Sequence, residues 1–201
     1  MPSMTYDGRS FILDGRRLWI VSGSIHYARV PRELWMDRIH AARLAGLNTI
    51  ETPVLWSRHE PRSGQYDFKG DNDLRRFVEL VGNADMRCIL RIGPFVGSGW
   101  DMGGLPPYLL DVKNIALRTH NQAFLEASAR FFNALADQVR DLQATAPGAG
   151  GDSGKPIVLI QNETAWTCGH DTLAAQYLGE LNRFLREAGF SVPVVNANNL
   201  W

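Results

Sequence analysis

A carboxylate flanked by an amide follows an uninterrupted apolar run in this 201-residue sequence. The stretch Lys155–Trp166 reads KPIVLIQNETAW. Ile157, Val158, Leu159 and Ile160 follow one another without alternation, the pattern of a parallel strand covered on both faces. The run then stops on Gln161, Asn162 and Glu163. Folds built from such strands place their chemistry just past the strands' C-terminal ends. A single acid at that point suits general acid–base work, and the neighbouring Asn162 amide could hold a substrate hydroxyl. The competing reading is structural: Glu163 caps a helix or pairs with an arginine.

Further candidates follow the other strand-like runs. His26 and Tyr27 end the first and could line a pocket, although a lone histidine is more often simply hydrogen-bonded. Glu51 lies inside a strand and could face either the sheet's inner side or a helix. Glu60, in His59-Glu60-Pro61, is expected to brace Arg58 or Arg91. Arg91 is expected to be buried and paired, supporting the site electrostatically. Trp100 and Asp101 sit in a Gly- and Pro-rich aromatic loop, where an aromatic face suits stacking on a sugar and the acid suits a sugar hydroxyl or a turn cap. Cys168-Gly169-His170-Asp171 has no second His/Cys pair at ligand spacing, so no metal is expected, and no other cofactor.

The elements around these residues alternate. Phe11–Leu13 and Leu18–Val21 flank Asp14-Gly15, a type I′ hairpin signal, and the second strand is expected to run on to Tyr27. A helix opens at Pro31 and ends before Gly46. Strands are expected at Asn48–Trp56, Arg87–Ile92, Ile157–Ile160 and Val192–Asn196. Helices are expected near Asp73–Gly82 behind an Asp71/Asn72 cap, at about Asn121–Leu142 and at about Thr172–Ala188. The Gly-rich stretch from Ala144 to Gly154 reads as a mobile connection. Strands alternating with amphipathic helices indicate parallel β/α units. The long loops follow strands rather than helices, as in a barrel with its active site at one end. An open doubly wound sheet is the alternative.

Composition narrows the partners. Twenty-one basic residues balance twenty-one acidic ones, so nothing points to nucleic acid or an anionic membrane surface. Cys88 and Cys168 are the two cysteines and are expected to be free thiols. No signal-peptide pattern opens the chain and no apolar run reaches the roughly 18 residues of a membrane span. A soluble, cytoplasmic protein is the expectation.

Four stretches together carry a resemblance: FILDGRRLWIVSGSIHYARVPRELWMDRIHAARLAGLNTIET, WSRHEPRSGQYDFKGDNDLRRFVELV, RIGPFVGSGWDMGGLPPYLL and KPIVLIQNE. In order and spacing they resemble the N-terminal part of the catalytic domain of glycoside hydrolase family 35, the β-galactosidase family. The resemblance implies an α/β fold of the (β/α)8 TIM-barrel type, with residues 1–201 supplying about the first five units of one domain. It also implies a retaining exo-hydrolase that removes terminal β-linked galactose from a carbohydrate substrate. Such enzymes use two carboxylates about 5 Å apart, one as acid/base and one as nucleophile. By the same resemblance Glu163 is the acid/base, Asn162 holds the sugar 2-hydroxyl, and Trp100, Asp101, His26, Tyr27 and Arg91 surround the sugar. The nucleophile belongs after the seventh strand and is expected beyond residue 201.

The sequence departs from the family pattern at several points. Pro53 stands where the family has Tyr, and Ser57 where it has Asn. Gly97-Ser98-Gly99-Trp100 stands in place of Cys-Ala-Glu-Trp. The family's strand-four motif is Gln-Ile-Glu-Asn-Glu-Tyr. Aligned without a gap, Glu163 matches its first Glu and Ala165 replaces the acid; aligned on Asn-Glu with two residues deleted, Glu163 is the acid. A non-catalytic carbohydrate-binding relative and an inert fragment are the alternatives to an enzyme.

Overall fold

The computed structural model describes residues 2–148, 155–167 and 173–199. A small antiparallel sheet comes first, formed by β1 (Met4–Tyr6), β2 (Phe11–Leu13) and β3 (Arg16–Leu18). The expected turn joins β2 to β3: Asp14 and Gly15 both take positive φ, 49° and 76°, as a type I′ turn requires. β1 was not anticipated; three residues offer too little alternation to declare a strand. The second hairpin strand does not run on to Tyr27. The chain leaves the small sheet at Leu18 and re-enters a different one as β4 (Ser22–Ser24). The Asn48 side chain holds this transfer, accepting from the Val21 amide (3.0 Å) and donating to the Trp19 carbonyl (2.7 Å).

The main sheet is parallel and has five strands in the order β4, β5 (Thr49–Pro53), β6 (Arg87–Gly93), β7 (Ile157–Thr167) and β8 (Val194–Asn199). Every strand lies beside its predecessor in sequence. A doubly wound sheet would reverse direction at a switch point; unbroken order is the topology of a barrel wall. The helices are α1 (Trp35–Leu44), the single-turn α2 (Trp56–His59), α3 (Leu74–Asn83), α4 (Gln122–Val139) and α5 (Ala174–Glu187). They pack in sequence, α1 on α3, α3 on α4 and α4 on α5. Local chemistry sets their ends. The α3 cap is Asp73, whose side chain accepts from the Arg76 amide at 2.9 Å, not Asp71 or Asn72. Asn121 caps α4 by accepting from the Phe124 amide at 3.1 Å.

The two faces of the sheet differ. Ile50, Cys88, Leu90, Ile92 and Ile160 are buried with the inner faces of the helices in the main core. Residues of opposite parity, Glu51, Ile89 and Arg91, line the other face. Near the strands' N-terminal ends that second face is sealed by the small sheet: Met4, Val158 and Leu159 form a separate cluster with Phe11, Leu13, Leu18, Ile20 and Ile89. Its C-terminal end is polar. Among the described residues no helix is long and apolar enough to cross a membrane.

β7 outlasts its apolar run by seven residues because it kinks. Glu163 (φ 35°) and Ala165 (φ 48°) sit at positive φ, and the pairing with β8 skips both, going from Asn162 to Thr164 to Trp166. Two such bulges in succession shift the side-chain alternation at the point where the candidate acid lies.

Candidate active site

Glu163 is fully buried and both of its oxygens are engaged. Oε2 accepts from Arg118 twice, from Nε at 3.1 Å and Nη2 at 2.7 Å. Oε1 accepts from the Tyr177 hydroxyl of α5 at 2.5 Å. Arg118 also donates to the Thr164 carbonyl (2.9 Å), lies over the Phe95 ring with its Cζ 3.9 Å from the centroid, and accepts the Trp166 indole N–H on its own carbonyl (3.1 Å). Burial holds the Glu163 carboxyl above its ordinary value, against a smaller opposing pull from the Arg118 cation and the Tyr177 hydroxyl. The arginine pairing considered as the alternative role of Glu163 is therefore present, with Arg118. Every contact to the carboxylate comes from a donor, an arrangement that suits the ionised form.

Asn162 is buried and turned to the helix layer, where its amide donates to Asn182 Oδ1 of α5 at 2.7 Å. Its own Oδ1 is buried without a hydrogen-bond partner among the described residues. The expectation that Asn162 faces a sugar is not met by this orientation, because the bulges that follow hold the strand end against α5.

A second polar group occupies the open face. Arg91 Nε lies 2.9 Å from Glu51 Oε1, with both side chains 16% exposed. Arg91 Nη2 donates to Ser98 Oγ at 2.9 Å, and that hydroxyl donates on to the Val96 carbonyl at 3.1 Å. Arg91 is thus paired as expected, and Glu51 faces the inner side. His26 is half-buried nearby; burial and the Arg29 cation push its imidazole below its ordinary value, against a smaller opposing pull from Glu51. A cleft of about 430 Å³ opens beside it, lined by Ser24, His26, Arg29 and Arg38.

The loop after β6 joins the two groups. It brings Ser98 to Arg91 and Phe95 under Arg118, while Arg29 donates to the Gly99 carbonyl (2.7 Å) and lies 5.0 Å over the Trp100 ring. Gly103 makes the fold of this loop possible: it sits at φ +62°, and a Cβ there would fall 1.9 Å from the Phe95 ring. Trp100 is half-buried under Arg29, and Asp101 is exposed in the turn that follows. Neither touches Glu163.

Two expectations are corrected. Tyr27 is fully buried in the helix-side core against Trp35 and Phe77, and not in the open cleft. A tight turn over Tyr27–Arg29 swings it inward after the strand end. Its hydroxyl donates to His59 Nε2, since His59 Nδ1 gives its proton to the Asp67 carbonyl at 2.8 Å. Glu60 braces neither Arg58 nor Arg91. It accepts from the Trp56 indole at 2.6 Å and the Gly64 amide at 2.7 Å. Cys88 is a buried free thiol. Cys168, Gly169, His170 and Asp171 lie outside the described residues, as does the Gly-rich stretch from 149 to 154. Among the described residues no group of three His, Cys, Asp or Glu side chains could hold a metal ion.

Comparison with known proteins adds a separate line of observation. The model of the family described as glycosyl hydrolases family 35 matches residues 10–200. "Beta-galactosidase 12" of Oryza sativa subsp. japonica is 40% identical over 163 residues, 81% of this chain and 17% of that protein. A beta-galactosidase of Xanthomonas manihotis is 37% identical over 189 residues, 94% of this chain and 30% of its own length. That of Bos taurus is 38% identical over 172 residues, 84% and 25% respectively. The chain therefore spans less than a third of these curated relatives. Among solved structures, an exo-beta-1,4-mannosidase from Opitutaceae bacterium strain TAV5 superposes with a TM-score of 0.66 at 18% identity, over 90% of this chain and 32% of that one. Endo-glycoceramidase II from Rhodococcus sp., solved as a lactosyl-enzyme intermediate, gives 0.65 at 14% identity, over 91% and 50%. At those identities the likeness is one of fold, and the fold is the partial (β/α)8 barrel described above.

Proposed function

The chain belongs to glycosyl hydrolases family 35, and from that premise we propose that it contributes the first five β/α units to the catalytic barrel of a hydrolase acting on terminal β-linked galactose. One observation carries the reading. A lone carboxylate, Glu163, lies in β7 just past its buried apolar run, in a chain 36–40% identical over most of its length to proteins named beta-galactosidases. In this reading Glu163 is the acid/base. It protonates the glycosidic oxygen as the bond to the anomeric carbon breaks, and later takes a proton from the water that releases the sugar. Arg91, Ser98 and His26 form the polar floor and Trp100 the stacking face. The carbohydrate is the partner.

A second reading, a carbohydrate-binding relative without turnover, is favoured by one feature. Glu163 is fully buried, and both of its oxygens are already taken up by Arg118 and Tyr177. The test is hydrolysis of an aryl β-galactoside by the full-length protein and its Glu163→Gln variant. The hydrolase reading expects turnover that falls by about 100-fold or more in the variant. Galactose binding without turnover, equal in both proteins, would instead establish the binding module.

A further inference from the structure

We propose that Arg118 is the positioning residue for Glu163, fixing the orientation of its carboxylate from the otherwise irregular segment that leads into α4. The inference rests on the reading of Glu163 as the acid/base and goes beyond it. Nothing in the sequence pairs the two, which stand 45 residues apart. The geometry does. The Arg118 guanidinium is held from three sides, by Glu163 Oε2, by the Thr164 carbonyl and by the Phe95 ring. Its backbone carbonyl is held from the fourth by the Trp166 indole. Side chain and main chain of one residue thus grip the strand end on both sides of Glu163.

The grip coincides with unusual backbone. Arg118 itself sits at φ 59°, and Glu163 and Ala165 at 35° and 48°. None of the three is glycine, and such conformations persist where surrounding contacts over-determine them. With two kinks in succession, β7's own pairing leaves the direction of residue 163 unspecified; the arginine specifies it. Among the described residues the charged and titratable groups facing the carboxyl are Arg118, from the segment before α4, and Tyr177, from α5.

The test uses the full-length protein and Arg118→Gln and Arg118→Lys variants. Removing the cation leaves a buried carboxyl with no charged partner among the described residues, so Glu163 keeps its proton to higher pH. For aryl β-galactoside hydrolysis, Arg118→Gln is expected to lower kcat roughly 10- to 100-fold with KM within about threefold. Its alkaline limb should move up by about one pH unit or more, and Arg118→Lys should restore most of both. A second readout needs no turnover: isotope-edited infrared spectra of the glutamates, taken as each protein minus its Glu163→Gln counterpart. At pH 7 the protonated share of the Glu163 signal should be larger in Arg118→Gln than in the wild type. An unmoved alkaline limb, or a fully ionised Glu163 in a folded Arg118→Gln protein, overturns the proposal. Undiminished turnover in Glu163→Gln sinks the hydrolase reading instead, and the infrared result then still decides what Arg118 does.

Discussion

A buried acid and a buried base set the pH behaviour of this chain residue by residue. His59 is buried and neutral, its imidazole pushed down to about 4 mainly by burial, against about 6.5 when unfolded. Its folded value is depressed, so the unfolded state binds the proton more readily, and stability is fully present above about 6.5 and lost as pH falls toward 4. The loss from this residue is expected to reach about 3 kcal/mol, and denaturant unfolding between pH 7 and 4 reads it, with His59→Gln flattening the slope. Gly103→Ala forces a methyl against Phe95 at positive φ, and should cost about 2–3 kcal/mol in the same assay. Legibility at this scale was uneven. Glu163 stood out because an apolar run ended on it. Tyr177 shares a helical stripe with Leu181 and Leu185, a spacing that marks it for the core and says nothing of a carboxylate partner. Arg118 carried no signal, since a cation in an irregular segment has no period to betray its partner.

Among the elements, α4 depends on a residue that serves two ends. Asn121 caps the helix and donates its side-chain amide to the Asn114 carbonyl at 3.0 Å, closing the segment that carries Arg118. Asn121→Ala should therefore cost about 1 kcal/mol from the cap, a fall in Tm of about 2–4 °C by calorimetry. It should also loosen Arg118, visible as faster amide exchange at Arg118 and Thr119. Strands and helices were largely readable from periodicity, turn residues and glycine stops such as Gly46 at φ +89°. The failures were at joins. The Leu18-to-Ser22 passage reads as continuous strand because all its residues suit strands, and only the distant Asn48 side chain divides it. β7 reads as ending at Ile160 because polar residues follow, whereas pairing with Val194–Asn199 carries it on.

For the whole molecule the unbroken strand order leaves β4 and β8 as the two edges of the described sheet. Beside β4, Trp19 is 76% and Val21 39% exposed. Such an edge is a template for pairing with another chain. A preparation of this 201-residue chain is expected to self-associate with rising concentration in sedimentation velocity runs, and Val21→Lys should suppress that association. Barrel architecture was legible from strands alternating with amphipathic helices and from long loops that follow strands. The burial of a small sheet beneath the barrel wall was not, because nothing local shows which far surface a hairpin will cover.

That small sheet also has a consequence for the timing of assembly. Each parallel strand can zip onto the one made just before it, so the wall can grow in step with synthesis. The hairpin that precedes the wall cannot finish so early. Met4, Phe11, Leu13 and Leu18 bury themselves against Val158 and Leu159, which leave the ribosome some 140 to 155 residues later. Of the described elements the earliest made thus waits for the wall's later strand, and until then its greasy side stays uncovered.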